Sequence, residues 1–409
     1  MTQVPGTRAE APPQAPRHLR GILSLDDFER AARRHLPRPL FAYVSGGVED
    51  NVSREDNRAA FGEWRFVPRV LTGVSGRSQE TTLLGTPYAH PFGIAPIGIA
   101  ALYAYRGDLV LAQAARAAGI PMAMSGSSLI RMEEVAQAAP DAWFQAYLPG
   151  DERTITELLE RAARAGFATL MLTVDVPMAG NRENNVRAGF STPLRPTPRL
   201  AWDGLTHPRW LFGTFLGTIV RHGMPHFENN YARRGAPILS PNVLRDFSDR
   251  GNLDWGHFDL IRRLWPGKMV VKGILDARDA RIAVDRGADA IVVSNHGGRQ
   301  LDGAIAPLRV LPEIAAACGA VPVLLDSGIR RGTDVLKAIA LGARFVLLGR
   351  SFGYAAAVAG EAGVRHAIGI LATEIDRDMA MLGITRLSQL DASYLRRLSS
   401  KSECRLPPA

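Results

Sequence analysis

The chain has 409 residues, 46% hydrophobic and 22% charged, an ordinary composition for a globular protein in water. Lys and Arg outnumber Asp and Glu by 49 to 40. That surplus suits an anionic substrate, a phosphate-bearing cofactor or anionic lipid, but it is too diffuse, with no interleaved basic and aromatic residues, for a nucleic-acid partner. Cys318 and Cys404 stand in no CxxC context, which excludes a disulfide framework, a zinc–cysteine site and a c-type haem and fits a reducing compartment. No metal-ligand set stands out.

Residues 1–20 have no apolar signal core, are rich in Pro, Ala and Gln, and are expected to be a disordered extension. Leu25 to His35 reads as an amphipathic helix begun by Ser24. Pro39 to Gly47 carries Tyr43 just before a Gly-Gly break, and Asn51 to Phe61 is a polar helical stretch. From Phe92 a rhythm sets in. The apolar runs 92–96, 121–125, 143–147 and 169–175 alternate with helical stretches 108–118, 132–139 and 151–165, the last with Asp151 as N-cap. After an interruption the runs 268–272, 290–294, 321–326 and 344–349 alternate with helices 277–286, 307–317, 333–341 and a long one from about 354 to 381. Eight apolar strands, each with a following helix, predict a closed (β/α)8 barrel over 21–395, since doubly wound open sheets rarely reach eight such units. Residues 396–409 are left as a C-terminal tail.

In such a barrel the chemistry sits where the strands end. These ends carry Pro96, Ile97 and Gly98; Ser125 to Ser127; Gln145 and Tyr147; Thr173 and Asp175; Lys272; Ser294 to Arg299; Asp326 to Arg330; and Gly349-Arg350. The run Ser294-Asn295-His296-Gly297-Gly298-Arg299-Gln300-Leu301-Asp302-Gly303 stands out. An imidazole takes a proton near neutral pH, two glycines let backbone approach a bound group, and an arginine fork matches a carboxylate or phosphate. Gly328, Arg330, Gly349 and Arg350 follow the last two strands, where barrels often bind phosphate. There is no Walker loop and no GxGxxG after a first strand.

The run SNHGGRQLDG, together with VKG at 271–273, LTVDVP at 172–177, WFQAY at 143–147, DSGIRRGTD at 326–334 and LGR at 348–350, resembles the FMN-dependent L-2-hydroxy acid dehydrogenase/oxidase family over about residues 21–395. HPRW at 207–210, RHGMP at 221–225 and YAYRGD at 103–108 look like the membrane-associated bacterial L-lactate and (S)-mandelate dehydrogenases within it. The resemblance implies FMN as cofactor and oxidation of an L-2-hydroxy acid to the 2-oxo acid. It implies His296 as the base, with Asp175 as its partner and Tyr147 at the substrate hydroxyl or carbonyl. Arg299 and Arg182, helped by Tyr43, would hold the substrate carboxylate. The flavin would be lined by Pro96, Ile97, Gly98, Ser125, Gln145, Thr173, Lys272 and Ser294, with Asp326, Ser327, Gly328, Arg330, Gly349 and Arg350 at its ribityl phosphate. It also implies a quinone acceptor and a homo-oligomer, a tetramer. Ser127 replaces a Trp of the plant glycolate oxidases and Gly98 stands where many oxidases have Ala, which leaves the side chain of the acid open. Whether the base removes the hydroxyl proton or the α-proton stays open too. Alternatives are an oxygen-using oxidase, a peptide-maturing oxidase, an isomerising FMN barrel and a flavin-binding scaffold.

Residues 183–256 break the rhythm between strand four and strand five. Trp210 to Val220 is an uncharged apolar run too short to span a bilayer. Six arginines lie within 191–240 against Asp203 and Glu228. An apolar segment with basic flanks reads as an interfacial anchor over 200–225, placing the protein in the cytoplasm, peripheral on the inner face of the cytoplasmic membrane. The alternative is a lid packed on the barrel or on a neighbouring subunit.

Overall fold

The computed structural model describes residues 16–191, 193, 195, 197–242 and 250–398. Its central strands are β1 (Phe92–Ile94), β2 (Ala123–Ser125), β3 (Trp143–Ala146), β4 (Thr169–Thr173), β5 (Lys268–Ile274), β6 (Ala290–Val293), β7 (Val323–Leu325) and β8 (Phe345–Leu348). Every residue in them except Lys268 and Gly273 is buried. Strands buried on both faces need cover on both, which is why these runs are continuously apolar and why their sheet is parallel. The order runs β1-β8-β7-β6-β5-β4-β3-β2, and a parallel bridge between Ile94 and Met122 closes it into a barrel.

Alternate side chains divide between two cores. Ala123, Trp143, Met171, Val270, Val292, Leu324, Phe345 and Leu347 fill the barrel interior. Val271, Val293, Leu325 and Leu348 face the surrounding helices. A hairpin of Thr81–Leu83 and Thr86–Tyr88 plugs the amino-terminal end, with Leu83 and Tyr88 in the interior cluster and Tyr88 5.7 Å from the Phe345 ring. The cavity is left at the opposite end.

Most helices lie where the periodicity put them. Leu25–His35 is begun by a capping box in which Ser24 accepts from Asp27 N–H, and Glu152–Arg164 is capped by Asp151. Five features differ. Arg17–Leu19 forms a 3-10 helix with Leu19 buried, so order begins before residue 20; residues 1–15 lie outside the described ones. Arg38–Ser45 is a helix, begun with proline in its first turn, and it carries Tyr43 to the barrel mouth. The long final helix is two, joined at Ala359–Gly360, where the backbone leaves helical geometry. Leu395–Arg397 pairs antiparallel with Trp64–Phe66, so the first residues of the expected tail belong to a strand. The barrel's fourth helix, Trp255–Leu264, begins inside the expected insertion.

Two contacts lock the loop after β6 onto the amino-terminal helices. Asp302 accepts the N–H groups of Asp50, Val52 and Ser53 at the start of helix Val52–Gly62. Buried Asn57 and Asn295 exchange amide hydrogen bonds of 2.8 and 2.7 Å. Asn57→Leu leaves the Asn295 amide buried with one partner fewer, so a loss of roughly 1–3 kcal/mol is expected, the cost of a buried polar group left unpaired. A urea midpoint equal to the parent's, at equal slope, would contradict this.

Candidate active site

A cavity of about 680 Å³ opens at the carboxyl ends of the strands. Its chemistry begins one residue past β6. The Ser294 hydroxyl accepts the N–H of His296, which sits in the left-handed region at φ +57°. That turn aims the imidazole across the mouth. Its Nδ1 lies 2.9 Å from Asp175 Oδ1, and its Nε2 lies 3.4 Å from the Tyr147 hydroxyl.

Burial pushes the imidazole below its ordinary 6.5; Asp175 opposes this, while Lys272 and Arg182 add to it. Burial alone would raise the Asp175 carboxyl, but His296 and Lys272 more than offset it and the group stays ionised. A neutral imidazole donating Nδ1–H to a carboxylate leaves the Nε2 lone pair facing the cavity, the arrangement of a general base.

Cations surround this pair. Arg299 bonds the carbonyls of Tyr43 and Gly46, both at 2.8 Å, and stacks 5.1 Å from the Tyr43 ring. Burial and the neighbouring Arg182 and Arg350 bring its guanidinium down to about 9. Arg182 reaches Gln300 Oε1 at 3.0 Å from the loop after β4. Arg350 bonds the carbonyls of Val44 and Gly46. Like charges crowded so closely call for an anion between or beside them.

The floor is polar. Lys272, 3% exposed, donates to Ser294 Oγ at 2.7 Å and pairs with Asp326 at 2.8 Å. Burial opposes its charge, but Asp326 and Asp175 outweigh burial and raise its pKa. Ser125 Oγ donates to Gln145 Oε1 at 3.2 Å and accepts from Ser127 N–H. Ser327 Oγ accepts from Gly297 N–H and donates to Asp326. Gly328 has φ +90°, and a Cβ there would lie 2.1 Å from the Asn57 carbonyl, so the loop after β7 accepts no side chain at this position. Three buried polar atoms along the floor find no protein partner: Gln145 Nε2, Thr173 Oγ1 and Asp175 Oδ2. Such atoms are seldom left unpaired, so their clustering fits a large polar ligand lying over them.

The cover comes from the insertion. Phe190, Phe227 and Ile238 add an apolar wall opposite Leu102. Arg250 lays its guanidinium 4.2 Å from the Tyr147 ring centroid. A helical run from Pro208 to His222, with a π-helical turn over Leu211–Leu216, packs one face on the barrel through buried Trp210, whose indole donates to the Leu102 carbonyl at 2.8 Å. The other face is open: Phe212 is 66% exposed and Val220 82%, and Trp202 of the preceding helix Pro198–Leu205 is 66% exposed.

The structure thus brings His296, Asp175, Tyr147, Arg299, Tyr43 and Arg182 together, with Pro96, Ile97, Gly98, Lys272, Asp326, Ser327, Gly328, Arg330, Gly349 and Arg350 on the same cavity. Ser125, Gln145, Thr173 and Ser294 lie buried behind that lining. The Arg330 side chain turns back to the Ile329 carbonyl and toward Asp26. Sequence reasoning missed Arg250, Leu102, Phe190, Phe227 and Ile238, which no strand-end rule could find.

A family model described as FMN-dependent dehydrogenase matches residues 32–397. The chain is 38% identical over 377 residues to an (S)-mandelate dehydrogenase of Pseudomonas putida, covering 92% of this chain and 94% of that protein. It is 41% identical over 381 residues to an L-lactate dehydrogenase of Pseudomonas entomophila (strain L48), covering 92% and 98%. The solved structure of the monotopic membrane protein (S)-mandelate dehydrogenase superposes with a TM-score of 0.84 at 37% identity, over 93% of this chain and 100% of that one.

Removing the Asp175 charge takes away an influence that raises the imidazole's proton affinity. In Asp175→Asn the His296 titration, followed by NMR and assigned with His296→Gln, is expected to move further below that of the parent. An unchanged or higher midpoint would contradict the pairing. Because the folded chain holds this proton less tightly than the unfolded one, the His296 contribution to stability is lost as pH falls below 6.5.

Proposed function

This chain belongs to the FMN-dependent dehydrogenase family, as a 2-hydroxy acid dehydrogenase of lactate/mandelate type, and from that premise we propose that His296 is its base, that the acid carries a bulky apolar side chain, and that the electrons leave to a membrane quinone. The single observation behind the catalytic reading is the His296–Asp175 pair, whose Nε2 faces a cation-rimmed cavity beside the Tyr147 hydroxyl.

The floor fits FMN. Gln145, Thr173, Ser125 and Lys272 would hold its ring system, and Gly328, Arg330, Gly349 and Arg350 its ribityl phosphate. Bound there, FMN supplies the two-electron acceptor that no side chain can provide.

Arg182 and Arg299 clamp the substrate carboxylate and fix the α-carbon over the floor. Both are half-buried cations held by neutral oxygens rather than by carboxylates, so the substrate anion relieves their mutual repulsion. Tyr147 donates to the substrate hydroxyl oxygen, and Nε2 of His296 takes a proton from the substrate. Asp175 stabilises the imidazolium that results, and Lys272 would supply the floor with a fixed positive charge that favours an electron-rich cofactor. Tyr43 closes the carboxylate end.

Leu102, Phe190, Phe227 and Ile238 support an acid larger than lactate. Anaerobic mixing with a panel of L-2-hydroxy acids tests this: (S)-mandelate and longer aliphatic acids are expected to bleach the flavin faster than L-lactate. Absence of bleaching by any 2-hydroxy acid sinks the activity, and a preference for L-lactate sinks the bulky side chain. Reoxidation faster with oxygen than with a quinone would make it an oxidase.

Among the described residues no helix is long and apolar enough to cross a membrane. The exposed face of 200–225, with Arg199, Arg209 and Arg221 alongside, supports interfacial docking. The full chain is expected to co-sediment with phosphatidylglycerol–phosphatidylethanolamine vesicles, and Trp202→Asn with Phe212→Asn and Val220→Asn to stay in solution. Equal sedimentation of both would place the contact elsewhere.

A further inference from the structure

The insertion does more than cover the cavity. Its last turn, Arg250–Asn252, is pressed against the loop that follows β3. A Cβ on Gly150 would lie 2.4 Å from the Asn252 Cβ, so the two backbones meet at a distance that only glycine permits. Three residues before Gly150 stands Tyr147, and two residues before Asn252 stands Arg250. The side chains cross at this junction, with the guanidinium 4.2 Å from the ring centroid and Arg250 only 8% exposed. A cation over an aromatic face is attracted by the ring quadrupole, more strongly where water is excluded.

We propose that Arg250 is a positioning residue that fixes the Tyr147 ring, so that the hydroxyl stays aimed at the substrate and at His296 Nε2. The proposal rests on the reading of the site given above. The ring has two soft torsions, and its hydroxyl stands 3.4 Å from Nε2, at the outer edge of hydrogen-bond reach. A small swing would take it away from the reacting atoms. The guanidinium plane restrains that swing from one face. Because Arg250 belongs to the insertion, this restraint forms only when the insertion's end is seated on the Gly150 loop.

The competing roles for Arg250 are a plain packing residue and a third cation for the substrate carboxylate. A double-mutant cycle separates them. The holoenzyme is compared as parent, Arg250→Met, Arg250→Lys, Tyr147→Phe and the Met/Phe double variant. Two quantities are read: the flavin reduction rate at saturating 2-hydroxy acid, and the Kd of the matching 2-oxo acid from the flavin's visible spectrum. Arg250→Met is expected to slow reduction roughly tenfold, the scale of a desolvated cation–π contact. The Kd should change by less than about threefold, since an effect through Tyr147 falls on the rate more than on binding. Arg250→Lys should recover part of the loss by keeping the charge. In the Tyr147→Phe background the Met substitution should cost less than about twofold, because the hydroxyl it aims is gone.

An equal loss from Arg250→Met with and without the hydroxyl overturns the proposal in favour of packing. A change confined to Kd overturns it in favour of substrate binding. If Tyr147→Phe alone leaves reduction at the parent rate, the assignment of Tyr147 fails and the positioning role falls with it. If Tyr147→Phe is slow while Arg250→Met matches the parent, only the inference about Arg250 fails.

Discussion

A charged lysine inside an apolar barrel is the constraint that orders this site. Lys272 is 3% exposed, in a strand whose neighbours are Val270 and Val271. Stripping water from an ammonium costs several kcal/mol unless partners replace it. Asp326 from the end of β7 and Ser294 from the end of β6 do so at 2.8 and 2.7 Å. Each partner then has a second task. Asp326 accepts from Ser327, which in turn receives Gly297 N–H. Ser294 accepts the backbone N–H of His296. The His296 imidazole is therefore placed by the same hydroxyl that satisfies the lysine, and three neighbouring strand ends are held in one register by one charge.

That economy explains why so much of the site was legible in the sequence. Strands buried on both faces must be apolar throughout, so polar residues stand out where the strands stop. Asp175, Lys272, His296 and Asp326 were visible for that reason, and the geometry brings all four together. Other parts were illegible for equally physical causes. Helix Arg38–Ser45 is too short, with proline in its first turn, to show a period. The plug hairpin 81–88 and the pairing of 64–66 with 395–397 are three-residue strands whose partners, not their propensities, decide them. Helix Trp255–Leu264 was hidden by the irregular stretch before it.

The cations show a different limit. Sequence alone placed Arg299 and Arg350 near anionic groups, and both do line the cavity. Their strongest contacts in the structure are with carbonyls at the end of helix Arg38–Ser45. Residue type gives charge, but not which acceptor a long side chain finds. The carbonyl contacts are useful in themselves, because they hold guanidinium groups in place that would otherwise repel one another before any substrate anion arrives. The cavity is thus preorganised toward anions at the expense of crowding three arginines.

The insertion resolves a conflict between two solvents. One face of its helical run must satisfy the barrel, and the buried Trp210 indole does so by donating to the Leu102 carbonyl. The other face keeps Phe212 and Val220 exposed, which water penalises and a lipid interface does not. Leu102 lines the cavity. The same insertion ends at Arg250, on the far side of Tyr147. Among the described residues, this segment adds Phe190, Phe227, Ile238 and Arg250 to the cavity's margin, and helix Arg38–Ser45 adds Tyr43 and Val44. Its two anchoring points, the Trp210 bond to Leu102 and the close backbone approach at Gly150, seat it on the barrel beside the cavity, so one segment meets both the apolar wall and the Tyr147 ring.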